Sequence, residues 1–308
     1  MSRERRPIVH SLTDLFSVAE SLPVSRLVVA AAQDPASLDA AIEAMKHGWV
    51  RLTLVGEKEK ITDLLSSRDV DVHDIRIIHA EGLQEAADKS VEQISKGEGD
   101  ILLKGAVDTG ILLKSVLRKE AGLRKAPVLS HLMLYDVPGW DRVIGMTDGG
   151  MNLAPDRDKK QAILDNALQA MEALGYKEVK VAIIAAKEKV DPAMPATVDA
   201  AEIAASHRGG AHIVEGPLAL DLALSSEAAR LKGIDSKVAG KADLLLVSTI
   251  DVGNVLGKSF TYLGSAQSAG VILGAAIPVL VVSRADSSVS KLYSIALGKV
   301  LASQERSH

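Results

Sequence analysis

The chain has 308 residues, 47% of them hydrophobic and 25% charged, with a formal net charge of −4 and no cysteine. Without thiols there are no disulfides, Fe–S clusters, thiolate metal sites or cysteine nucleophiles, and the mild acidity argues against general binding to DNA or anionic membranes. Aromatics are only 3%, so the core must come from Ala, Val, Ile and Leu, and a base-stacking surface has little to be built from.

The opening stretch MSRERRPIVHSL lacks the apolar segment of a secretory leader. No segment offers eighteen clean apolar residues. The nearest, 269–282, contains Gly and Pro and reads as buried strands rather than a membrane span. The expectation is a cytoplasmic enzyme with no nucleic-acid and no membrane partner.

In chain order, apolar runs with strand character begin at Arg26, Arg51, Ile75, Asp100, Pro127, Val143, Val179, His212 and Ala242, and a last run enters Ser283. Helical patterns lie between them at 36–46, 84–95, 110–119, 158–174, 199–207, 221–232, 254–266 and 287–301. The clearest is 158–174. Asp156 is placed to cap it, Ile163, Leu164, Ala167, Leu168, Met171 and Leu174 share one face, and Gly175 stops it. Alternating strands and helices predict a doubly wound, mostly parallel arrangement with ligands at the carboxyl ends of strands. Between Pro127 and Asp148, two strand signals flank Val137-Pro138-Gly139-Trp140 with no helix between, as in a hairpin or an arm where two domains meet.

GxGxxG, GxxxxGK[ST], HExxH and GxSxG are all missing. His131 and His212 lie in strand-like runs and read as hydrogen-bonded structural histidines.

Four places set polar residues where an apolar strand ends and a helix begins. In the first, Lys104-Gly105 precedes Asp108-Thr109-Gly110, with Lys114 and Arg118 farther along one side. A helix start flanked by cations suits an anion, although a solvated cationic face explains the same residues. In the second, Thr147-Asp148-Gly149-Gly150 permits close backbone approach or is an ordinary glycine turn. In the third, Asp251-Val252-Gly253-Asn254 precedes Lys258, with Asn254 as a possible helix cap. The fourth is Ser283-Arg284-Ala285-Asp286-Ser287, before a helix whose apolar face is Val289, Leu292, Ile295, Ala296 and Val300. Capping accounts for Asp286 or Ser287. It does not account for Arg284, a costly residue beside a buried strand without an anionic partner.

The blocks LLKGAVDTGILLKSVL, SHLMLYDVPG, TDGGMNLAPDRDKKQAILDNA, GPLALDLALS, AGKADLLLVSTIDVGNVLGKS and SRADSSVSKLYSIAL run in order over nearly the whole chain. They resemble the phosphate acetyltransferase and phosphate butyryltransferase family, and the butyryltransferase branch more closely. The resemblance implies the reversible reaction of acyl-CoA with phosphate to give acyl phosphate and CoA. Its partners are then acyl-CoA, inorganic phosphate and acyl phosphate, with coenzyme A as substrate or product and no tightly bound cofactor or metal.

The implied fold is α/β: two α/β/α domains with largely parallel sheets and an interdomain cleft, like isocitrate and isopropylmalate dehydrogenases, in a homodimer or larger homo-oligomer. The expected domains are 1–137 with 283–308, and 138–282. The resemblance makes Ser283 and Arg284 the catalytic serine and arginine. Lys114 stands where the acetyltransferase branch has an arginine, and Ser290 where it has an aspartate proposed as base, which leaves Asp286 as the nearest carboxylate. Lys104, Gly105, Thr109, Lys114, Asp148, Gly253, Asn254, Lys258, Ser287 and Ser290 are the candidates for holding substrate, phosphate or CoA. A preference for acetyl-CoA and a non-catalytic CoA- or phosphate-binding relative are the alternatives. The decarboxylating dehydrogenases of the same fold are disfavoured because their motifs are missing.

Overall fold

The computed structural model describes residues 8–68, 70–282 and 287–305. They divide into two compact units. One comprises the described residues up to Leu12 with Val128–Ser268; the other comprises Thr13–Pro127 with the described residues from Ala269 on. These divisions fall near 127 and 268, where the sequence reading sets borders near 137 and 282.

In the second of these units the helices are α1 (Leu12–Ser21, its first residue in the other unit), α2 (Pro35–Lys46), α3 (Lys58–Ser66), α4 (Gly82–Ser95), α5 (Thr109–Val116) and α11 (Ser288–Glu305). Its strands are β1 (Ser25–Ala30), β2 (Val50–Gly56), β3 (Arg76–His79), β4 (Ile101–Lys104), β10 (Gln267–Leu273, its first two residues in the other unit) and β11 (Val279–Leu280). They lie in the order β3-β2-β1-β4-β11-β10, parallel except for the last pair. The apolar run at 269–282 is thus two antiparallel strands.

The other unit holds β5 (Ser130–Asp136), β6 (Ile144–Thr147), β7 (Lys180–Ile184), β8 (Ile213–Leu218) and β9 (Leu244–Leu246), with helices α6 (Arg157–Ala173), α7 (Pro195–Ser206), α8 (Leu220–Leu224), α9 (Ser226–Lys232) and α10 (Ile250–Tyr262). The order β5-β6-β9-β7-β8 is parallel except for β5 and β6, where Met133 opposes Met146. The 127–148 segment is accordingly a hairpin. The α/β class with mostly parallel strands is as the sequence predicts.

Local chemistry explains the boundaries. Asp34 caps α2 by accepting from Ser37 N at 2.9 Å, and Asp156 caps α6 by accepting from Lys159 N at 2.9 Å. Ile163, Leu164, Ala167, Leu168, Met171 and Leu174 are all buried, as the helical period requires. The helix expected over 221–232 is broken into α8 and α9 because Ser225 leaves helical geometry and caps α9 through Ala228 N. Among 287–301, α11 buries Leu292, Ile295, Ala296 and Val300 but leaves Val289 46% exposed in its first turn. From Lys291 to Ala302 every position is buried, including Lys291 and Lys299, so this helix is enclosed rather than two-faced. Burial alone holds the Lys299 amine below the usual lysine range.

Candidate functional site

Ser283, Arg284 and Asp286 lie outside the described residues. The other candidates fall into two groups, one in each unit.

The first group sits where β4 ends. Lys104 is 6% exposed, and its ammonium donates to Gly105 O at 3.2 Å and Val107 O at 3.1 Å. These two bonds help to shape the turn into α5. Gly105 has no room for a side chain, since a Cβ there would overlap Ala31 O, and the two loops are tied by Gly105 N to Ala30 O and Ala106 N to Ala31 O, both 2.8 Å. Ala31 accommodates that crossing with a positive φ of 56°. Ser37 Oγ anchors the same turn by donating to Lys104 O at 3.2 Å.

α5 starts at Thr109, and the Asp108 side chain makes no capping bond. Lys114 is exposed in its last turn. Arg118 does not continue this cationic side: the helix ends at Val116, and Arg118 pairs with Asp88.

Ser287 and Ser290 begin α11 in this unit. Ser287 Oγ accepts from Ser290 N at 3.1 Å and lies 3.2 Å from Ser290 Oγ. Ser287 thus caps the first turn of α11; whether Asp286 does so too lies outside the described residues. Ser290, with a hydroxyl in that cap, has no carboxylate with which to act as a base.

The second group surrounds the end of β6. Asp148 is 3% exposed, and its carboxylate is fully engaged by its own loop. Oδ1 accepts from Gly150 N and Met151 N, both at 2.9 Å, while Oδ2 accepts from Asn152 N at 3.3 Å and Asn152 Nδ2 at 2.6 Å. Asn152 Nδ2 also donates to Leu129 O at 2.9 Å. Asp148 thus fixes the glycine loop.

Gly149 meets Gly253. A Cβ on Gly253 would lie 2.5 Å from Gly149 Cα, so both positions need glycine for backbone to pass backbone. This contact also corrects the expected start of α10. The helix begins at Ile250, with Thr249 as cap, so Asn254 lies in its second turn and caps nothing. Asn254 and Lys258 are exposed on α10. His212 is a structural histidine, as expected: it lies 3.2 Å from Val179 N and 3.1 Å from a Glu172 carboxylate oxygen.

Sequence reasoning missed a cavity of about 400 Å³ in this unit, lined by Pro155, Arg157, Lys160, Asp199, Ser248 and Thr249. It lies at the starts of α6, α7 and α10. Lys160 and Asp199 form an ion pair of 2.7 Å whose side chains are 8% and 22% exposed. The pair joins α6 to α7. No group of three metal-ligating side chains occurs among the described residues, and none of their helices is long and apolar enough to cross a membrane.

The sequence of residues 80–298 matches the family model described as phosphate acetyl/butaryl transferase. The chain is 43% identical to a probable phosphate butyryltransferase of Bacillus subtilis, over 96% of this chain and 99% of that one. It is 36% identical to a phosphate acetyltransferase of Rhizobium meliloti, over 99% and 98%. Among solved structures, a branched-chain phosphotransacylase from Enterococcus faecalis superposes with a TM-score of 0.82 at 32% identity, covering 91% of this chain and 99% of that one.

Proposed function

The chain belongs to the phosphate acetyl/butyryl transferase family and is a phosphate acyltransferase; from that premise we propose that its preferred substrate is butyryl-CoA, which it converts with inorganic phosphate to butyryl phosphate and CoA. The observation that carries this reading is the full-length 43% identity to a probable butyryltransferase, against 36% to an acetyltransferase. The enzyme works in the cytoplasm as a homodimer or larger homo-oligomer and needs no tightly bound cofactor.

The chemistry assigns roles to the chain's residues. In the direction that makes acyl-CoA, the CoA thiol loses its proton while it attacks the acyl phosphate carbonyl. A free thiol near pKa 8.5 is mostly protonated at neutral pH, so a carboxylate base at the sulfur speeds the step. Asp286 takes that role. Arg284 holds the phosphate and the developing oxyanion, and Ser283 donates a hydrogen bond to the same centre. Backbone N–H groups at the start of α5, which no Asp108 side chain caps, suit a phosphate oxygen, with Thr109 and Lys114 beside them. Gly105, Asp148 and Gly253 position these loops, and Lys104 adds its charge beside the start of α5. Asn254, Lys258, Ser287 and Ser290 remain candidates for polar contacts to CoA.

Replacing Arg284 tests the assignment. Arg284→Ala is expected to lower phosphate-dependent turnover by about 10²-fold or more, the usual loss when one oxyanion donor is removed. Near-normal turnover would contradict it.

A further inference from the structure

None of the residues that line the cavity at the starts of α6, α7 and α10 is among those proposed for acyl transfer. Its place in the topology suits a ligand. Successive residues of a strand face opposite sides of the sheet: Gly145 faces Met171 of α6, and Met146 faces Gly257 of α10. The helices that follow β6 and β9 therefore lie on opposite faces. β6, β9 and β7 are neighbours in that order, and the cavity lies beyond their carboxyl ends. In open α/β sheets, ligands bind in the crevice at such a point, where the chain departs to both faces.

The wall of the cavity holds hydrogen-bond donors that the protein does not use. Lys160 is 6% exposed. An ammonium has three N–H donors, and among the described residues this one donates only to Asp199 Oδ2, at 2.7 Å. Arg157 Nε is buried without a hydrogen-bond partner, the Glu202 carboxylate being 3.9 Å away. The half-buried Ser248 hydroxyl has no partner among the described residues. α7 begins at Pro195 with no side-chain cap, and its Ala196 lines the same wall. The acids present are already accepting, Asp156 from Lys159 N and Asp199 from Lys160. Buried donors without acceptors cost stability, and a phosphate group brings charged acceptor oxygens to such donors.

We propose that this cavity binds the phosphate group of a small phosphorylated molecule, held by Lys160, Arg157, Ser248 and the start of α7. About 400 Å³ is a volume typical of small-molecule sites, with room for more than the phosphate itself. The proposal concerns binding and not turnover, so it stands or falls apart from the acyl-transfer reading.

The test is equilibrium dialysis of the full chain against inorganic phosphate and, separately, CoA, at constant ionic strength. Arg284→Ala is the background, because it removes the phosphate contact assigned to the reacting centre. In that background Ser248→Ala should weaken phosphate binding about 3- to 10-fold, the effect of one lost hydrogen bond. Lys160→Met with Asp199→Leu removes the charge without orphaning its partner and should weaken it about 10-fold or more. Lys237→Met, at an exposed lysine of the same unit, should change nothing. A parallel loss of CoA affinity in the first two variants would identify the phosphate as one of CoA's own. Unchanged CoA affinity beside weakened phosphate binding would assign the cavity to another phosphorylated molecule. Two results would overturn the proposal: no phosphate binding to the Arg284→Ala chain at tens of millimolar, or losses in the first two variants no greater than in Lys237→Met.

Discussion

Removing the Asp148 carboxylate should unfold the unit that holds it far more easily. Asp148→Ala deletes the acceptor for Gly150 N, Met151 N, Asn152 N and Asn152 Nδ2. Hydrogen bonds to a charged group contribute about 1.5–3 kcal/mol each, and an orphaned buried donor costs about 1–3 kcal/mol. Gly150 is exposed, and Gly149, Met151 and Asn152 are half-buried, so water re-satisfies part of the set. The net loss is then about 3 kcal/mol. Asp148→Asn keeps one oxygen acceptor but turns an NH₂ group toward the donors of Asn152, for a loss of about 1–2 kcal/mol.

The two tryptophans make the assay local, since Trp140 and Trp49 lie in different units. In a Trp49→Phe background, Trp140 emission follows urea unfolding of the unit that contains Asp148, and linear extrapolation gives the stability change. A loss below about 1 kcal/mol for Asp148→Ala would refute the reasoning, because the four donors would then be finding equal partners elsewhere.

Further outcomes follow from the same geometry. Gly253→Ala drives a Cβ onto the Gly149 backbone and should cost about 2 kcal/mol or more in the same titration; Gly110→Ala, whose Cβ meets open space, should be neutral or gain up to about 1 kcal/mol. Lys160→Met leaves Asp199 without its ion-pair partner and should cost about 2–4 kcal/mol, while Lys160→Met with Asp199→Leu should recover most of it. Burial raises the Asp243 carboxyl pKa despite the bond it accepts from Lys180 N at 2.8 Å. A carboxyl raised in the folded state contributes stability that is present below its unfolded pKa and lost as pH rises through its folded one. The Tm difference of Asp243→Asn minus wild type should therefore move in favour of the variant as pH rises from 4 through the raised value, and a constant difference would contradict it.

The alternation of strands and helices was legible because buried parallel strands are continuous apolar runs and helices such as α6 carry caps and a one-sided stripe. The failures have tertiary causes. Asp251-Val252-Gly253-Asn254 looks like a loop because of its glycine, yet the glycine is there so that α10 can cross Gly149. Arg118 looks like an extension of a cationic face until Asp88 is brought to it from α4. Helices α1 and α3 were not foreseen; both are short, and α3 buries only Ile61 and Leu65. For the residues proposed to react, the only signal in the sequence was an anomaly, Arg284 after an apolar run, and the family resemblance gave it a proposed meaning.

The central claim is butyryl transfer, and the most direct test is CoA release from acetyl-, propionyl-, butyryl- and isobutyryl-CoA by the purified protein, with and without inorganic phosphate. The account predicts release that depends on phosphate, with kcat/KM clearly higher for butyryl-CoA than for acetyl-CoA. Higher kcat/KM for acetyl-CoA, or no phosphate-dependent release from any of the four, would contradict it.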